Sequence, residues 1–172
     1  MSIRQFELYH GAVLARIVRN DRPVTLRLIE SKVNDAWAAY NIDDAATLYM
    51  KHISAGYESQ NHSVWAWTFS FDPSQLNRLS QLQEKCPVYL VLICGQREVA
   101  RGRQMEVCLL SSDQVNQCID LAASCAQSIR VEARPGCELR VSGSKRKPEN
   151  ALLVPRNALD KFGICRTHSS RN

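Results

Sequence analysis

The sequence has no Cys-x-x-Cys pair, no His-Glu-x-x-His, and neither of the glycine signatures GxGxxG and GxxxxGK[ST]. Each absence excludes a class, because zinc knuckles, zincins and nucleotide loops need their ligands or their bare backbone at fixed spacing. No apolar run approaches the ~20 residues that cross a bilayer, and no signal-type apolar stretch follows Met1-Ser2-Ile3-Arg4-Gln5. The expectation is a cytoplasmic protein with no membrane partner. The seven cysteines, at 86, 94, 108, 118, 125, 137 and 165, are odd in number and unpaired in spacing. They are expected to be reduced and metal-free, with Cys94 and Cys108 acting as small hydrophobes inside apolar runs. The histidines at 10, 52, 62 and 168 make no metal spacing. Cys94-Gly95 with His52 can be drawn as a thiol and its base, but no third, orienting group accompanies them.

What is present is globular. A chain of 172 residues with 45% hydrophobic and 23% charged residues suits one domain, expected over 1–162 with a flexible tail at 163–172. The net charge of +5 is unevenly spread: residues 130–172 hold 10 Lys/Arg against 4 Asp/Glu, while 1–129 are near neutral. In that third Arg134, Arg140, Lys145, Arg146 and Lys147 lie close in sequence. They either face nucleic-acid phosphates or solubilise a loop.

Periodicity divides the chain. Phe6, Tyr9, His10, Val13, Leu14 and Ile17 recur at helical intervals over about 3–19, with Ser2 and Gln5 spaced as a capping box. Strands are expected over 24–30, 36–42 and 46–53 around Asp43-Asp44, then a polar loop to 63. Trp65, Trp67, Phe69 and Phe71 alternate on one face of the next strand. They are either core or a stacking platform for unpaired bases. Asp72-Pro73 opens a helix to about 85, and Val88 to Cys94 is a continuous apolar strand. There follow an arginine-bearing loop over 95–104, a strand at 106–110 and a helix from Ser112-Asp113 to about 123. A hairpin turns at Pro135-Gly136, and a basic loop spans 142–150. A short piece, 152–162, precedes the tail. The expected fold is α+β: a mixed, largely antiparallel sheet with an N-terminal helix and two further helices.

The order of acid-bearing helix, three strands, helix and strand over about 3–95 resembles the core of the PD-(D/E)xK, restriction-endonuclease-like nuclease superfamily. The resemblance implies Mg²⁺-dependent phosphodiester chemistry with Glu7, Asp43, Asp44 and Lys51 catalytic, and with Glu7, Glu30 and Asp44 as metal ligands. Tyr49-Met50-Lys51 stands where that family has (D/E)xK, so tyrosine replaces one acid. A single strand over 44–51 would part Asp44 from Lys51 by about 23 Å. The set therefore meets only if the chain turns at 43–46, with Glu30 as a substitute acid. Leu48 to His52, Trp65 to Phe71 and Val91 to Gly95 are also similar to a family of small, stand-alone bacterial proteins, which implies no activity. The rival expectation is a non-enzymatic protein-interaction module.

Overall fold

The computed structural model describes residues 3–19, 23–58, 64–96 and 105–162. Helix α1 (Gln5–Val18) buries Phe6, Tyr9, His10, Val13 and Ile17 along one face, as their spacing dictates. Five strands follow: β1 (Leu26–Lys32), β2 (Trp37–Ile42), β3 (Ala46–Ile53), β4 (Tyr57–Glu58) and β5 (Trp65–Phe71). Asp72 then caps α2 (Pro73–Gln83), accepting the Gln75 N–H at 2.9 Å, with Pro73 at the first helical position. The remainder is β6 (Val88–Cys94), β7 (Glu106–Leu110), α3 (Ser112–Cys118), β8 (Gln127–Ala133), β9 (Leu139–Gly143) and β10 (Leu152–Val154).

The fold is α+β, but its strands form two five-stranded sheets where a single one was expected. The first runs β1-β2-β3-β6-β7 and the second β10-β9-β8-β5-β4. Among the described strands only β3 and β6 pair in parallel, from Thr47↔Val88 to Ile53↔Cys94. The aromatic strand accounts for the division. Trp67, Phe69 and Phe71 need an apolar surface opposite them, and Trp37, Tyr49, Leu90 and Leu92 of the first sheet belong to the same buried cluster. β5 therefore leaves the plane of the first sheet and pairs with β8 from Trp65↔Ala133 to Phe71↔Gln127. The two sheets pack face to face. The α2 residues Leu76, Leu79 and Leu82 join that core, and the chain returns as β6 beside β3.

The other face of the first sheet is covered as well. Leu48, Met50, Val91 and Ile93 pack with Tyr9, Val13 and Ile17 of α1 and with Leu159. Burial on both faces is why residues 88–94 are almost continuously apolar. The second sheet buries one face only, so Thr68 and Ser70 alternate outward between the buried rings. No helix among the described residues is long and apolar enough to cross a membrane.

Three boundaries differ from expectation. Helix α1 is capped at Arg4, whose N–H donates to Glu7 Oε2 at 2.7 Å, and Ser2 lies outside the described residues. Helix α3 stops at Cys118, not near 123. Ile119 turns extended (φ −135°, ψ 159°) and is fully buried, while the Cys118 carbonyl accepts from Lys145 N–H at 2.9 Å. Residues 57–58, expected as loop, pair as a strand with β5. Residues 97–104 of the arginine-bearing loop and the tail at 163–172 lie outside the described residues.

Trp67 is 1% exposed and donates from Nε1 to Gly95 O at 2.8 Å. Replacing it with alanine empties a core site and orphans that carbonyl, so Trp67→Ala is expected to cost about 3–5 kcal/mol by denaturant titration.

Candidate functional site

The alternation of β3 points Tyr49 and Lys51 into the layer between the sheets, opposite to Leu48 and Met50. Lys51 is 8% exposed. Its Nζ donates to Ser70 O at 2.6 Å and to Gln75 Oε1 at 2.7 Å, and stands 4.9 Å from the centre of the Phe71 ring. Burial pulls its pKa down to about 8, against the opposing pull of the Asp72 and Asp35 charges. This lysine ties β3 to the end of β5 and the first turn of α2.

The acids expected beside it are elsewhere. Asp43 and Asp44 form the β2–β3 turn, both at φ 53°, a left-handed conformation that aspartate tolerates. Asp43 Oδ1 accepts the Thr25 N–H at 2.7 Å. Asp44 is four-fifths exposed and pairs with Arg27 at 3.3 Å. The chain does turn at 43–45, but it brings Trp37 beside Lys51 and leaves Asp43 and Asp44 at the tip, before a strand whose five steps from Ala46 to Lys51 span about 17 Å. Glu7 is exposed on α1 and closes its capping box. Glu30 alone shares the layer of Tyr49 and Lys51, and it is held by Arg78 of α2 at 2.9 Å. Burial first, then the Asp72, Glu30 and Asp35 charges, push the Tyr49 phenol pKa up. Among the described residues no three His, Cys, Asp or Glu side chains are grouped to hold a metal ion. Glu7, Glu30 and Asp44 thus do not fit a magnesium site.

The opposite face holds a pair that spacing did not reveal. His10 of α1 and His52 of β3 meet at Nε2···Nδ1 3.4 Å, with Phe6 stacked on His10 at 4.1 Å. The available signal was positional: His10 lies on the apolar stripe of α1 and His52 alternates with Leu48 and Met50. Burial, then the neighbouring His52, lower the His10 pKa to about 4. Cys94 is not a partner for His52, because it belongs to the core between the sheets and burial pushes its thiol pKa well up.

Four of the five basic residues do assemble. After β9 the chain folds back in a tight turn: Gly143 N–H donates to Arg146 O at 2.8 Å, and Arg146 N–H to Gly143 O at 2.9 Å. Ser144 N–H reaches Ser128 O at 3.0 Å. Gly143 is required here, since a Cβ would stand 2.4 Å from Cys118 O. Around this fixed turn Lys145 Nζ donates to Asn116 O at 2.7 Å, and Arg146 to Asn150 O and Gln117 Oε1. Arg140 reaches Pro148 O at 3.0 Å. Lys145, Arg146, Lys147, Gln117 and Asn150 line an open depression of about 820 Å³. All these acceptors are neutral, and among the described residues none of the four cations is in an ion pair with a carboxylate, Glu149 included. Asn116 and Gln117, which steady the cations, carry no charge signal in the sequence. Arg134 lies apart, beyond the far end of β8.

Two outcomes follow for the buried groups. Lys51→Ala is expected to lower stability by about 2 kcal/mol, where an exposed lysine would change it by less than about 0.5. For His10, whose folded pKa is depressed, the unfolded chain takes up protons first as pH falls below 6.5. Stability should therefore be full above that pH and fall by about 2 kcal/mol by pH 5, and His10→Phe should flatten the loss. Denaturant titration at both pH values measures it. No protein-family model, no curated protein and no solved structure matches this chain.

Proposed function

We propose that the protein binds the phosphate backbone of nucleic acids through the basic turn. The observation that carries this is the arrangement of Arg140, Lys145, Arg146 and Lys147 on a hydrogen-bonded turn, with only neutral groups as partners. Cations held in place by carbonyls keep their full charge for an incoming anion. The rigid turn reduces the ordering cost of binding. A lysine paired with a carboxylate would offer neither advantage. Binding of this kind positions a backbone without reading sequence, because phosphates are the same in every nucleotide. No cleavage step follows from Lys51, which is spent on Ser70 and Gln75 inside the core.

The test is fluorescence anisotropy with single-stranded DNA, duplex DNA and RNA over a range of salt. Each neutralised phosphate releases condensed counterion, so the log–log slope for duplex DNA should be about −3 to −4 for four contacts. Replacing Lys145, Arg146 and Lys147 with serine should flatten it to about −1 without moving the denaturant midpoint. Affinity that ignores salt, or no affinity at low salt, removes the proposal. Equal affinity for polyglutamate of matched charge would instead favour the protein-interaction module.

A further inference from the structure

The basic turn holds more free donors than a passing backbone can use. Its depression of about 820 Å³ is lined by Lys145, Arg146, Lys147, Gln117, Asn150 and Ala151, three cations and no carboxylate. Lys145 spends one of three ammonium protons on Asn116 O, and Arg146 two of its five N–H groups on Asn150 O and Gln117 Oε1. Lys147 spends none among the described residues. The carbonyls at the end of α3 do not oppose an anion, since Asn116 O and Cys118 O both already accept from Lys145.

Among the described residues no basic track leads away from this spot along the sheet. Arg130, opposite Ser142 in the β8–β9 ladder, is neutralised by Glu132 at 2.9 Å. Arg140, beside the depression, is tethered to Pro148 O. An internal phosphodiester brings one charge, with its neighbours a nucleotide away on either side. To satisfy three convergent cations such a chain must fold into the depression and out again. A terminal phosphomonoester brings a charge of about −1.5 to −2 and three acceptor oxygens to one point, and its chain leaves in one direction only. With the first phosphodiester behind it, its charge matches that of the three cations.

We infer that the preferred ligand of the basic turn is the phosphorylated end of a nucleic-acid strand, its terminal phosphomonoester seated between Lys145, Arg146 and Lys147. The terminal nitrogen of Arg146 that bonds neither Gln117 nor Asn150 supplies a fixed donor to the phosphate, and Lys147 the mobile one. This rests on the nucleic-acid reading above and narrows it from backbone to end. A free mononucleotide carries the same phosphomonoester, and competition separates the two sources.

The test compares four forms of one single-stranded oligonucleotide by anisotropy at fixed salt: 5′-phosphorylated, 3′-phosphorylated, unphosphorylated, and ligated into a circle, which has no end. At least one phosphorylated form should bind about ten-fold more tightly than the unphosphorylated strand and the circle, which should bind alike. Which phosphate gives the gain names the end. Lys147→Gln should remove most of the gain and weaken the circle by no more than about three-fold. Arg146→Lys, which keeps the charge and loses the planar fork, should also reduce it. The mononucleotide bearing the same phosphate, displacing the phosphorylated strand with equal affinity, identifies the free nucleotide as the ligand; competing about ten-fold more weakly or worse, it identifies the strand end. Equal, salt-dependent affinity for all four forms overturns this inference and leaves the backbone reading standing. A gain that survives both substitutions overturns it as well. No affinity for any form at low salt removes both readings.

Discussion

The parallel pairing of β3 with β6 is the constraint on which the rest of the structure depends. Parallel neighbours require a crossover, and a pair at the centre of a sheet has two faces to cover. Helix α1 covers one and the second sheet the other, so residues 46–51 and 90–94 are buried throughout. Polar groups on these strands must find partners within the protein. Thr47 Oγ1 meets Cys86 Sγ at 3.2 Å, and Lys51 finds Ser70 and Gln75. The Trp37 indole N–H and the Tyr49 hydroxyl, stacked ring on ring at 4.8 Å, have no partner among the described residues. Each such orphan costs about 1–3 kcal/mol, which leaves dispersion between the rings to hold that layer.

A centre so enclosed leaves little surface for recognition. Accessible chemistry has moved to the two ends of the second sheet, whose outer face is open to solvent. The basic turn stands at one end, where α3 and β9 meet, and a small concavity lined by Trp65, Glu106 and Arg134 at the other. Between them Arg130 is neutralised by Glu132 at 2.9 Å. The positive charge is therefore concentrated at the turn, not spread along the sheet.

Much of the fold was legible in the sequence because periodicity reports which faces are apolar. The alternation of Trp65 to Phe71, the run from Val88 to Cys94 and the cap at Asp72-Pro73 are all local signals, and all three hold. Partner choice is not local. Nothing in residues 65–71 says that they pair with 127–133 and not with 46–53, so the second sheet was missed. The same blindness bears on Lys51: its strand is covered on both faces, so the lysine expected to serve catalysis is tied to Ser70 and Gln75 instead. Asp43 and Asp44 read as catalytic acids, and their left-handed conformation places them in the β2–β3 turn. The basic cluster was visible as charge. That its partners would be neutral carbonyls depended on where α3 ends, which no periodicity fixes.

The excursion of β5 has a consequence for how the molecule comes into being. β3 and β6 are sequential in the first sheet, yet the chain between them supplies two strands, β4 and β5, to the second, and the long partner of β5, β8, is made last but two. Neither sheet can be completed while the other is missing. During synthesis, residues up to 94 would offer Trp67, Phe69 and Phe71 a surface on one side but no neighbour beyond β4 in their own sheet. The closing contacts span long stretches of chain, whose loop entropy must be overcome before any of them stabilises the fold. The two sheets are thus one cooperative unit, and no cut between them leaves a half that can stand by itself.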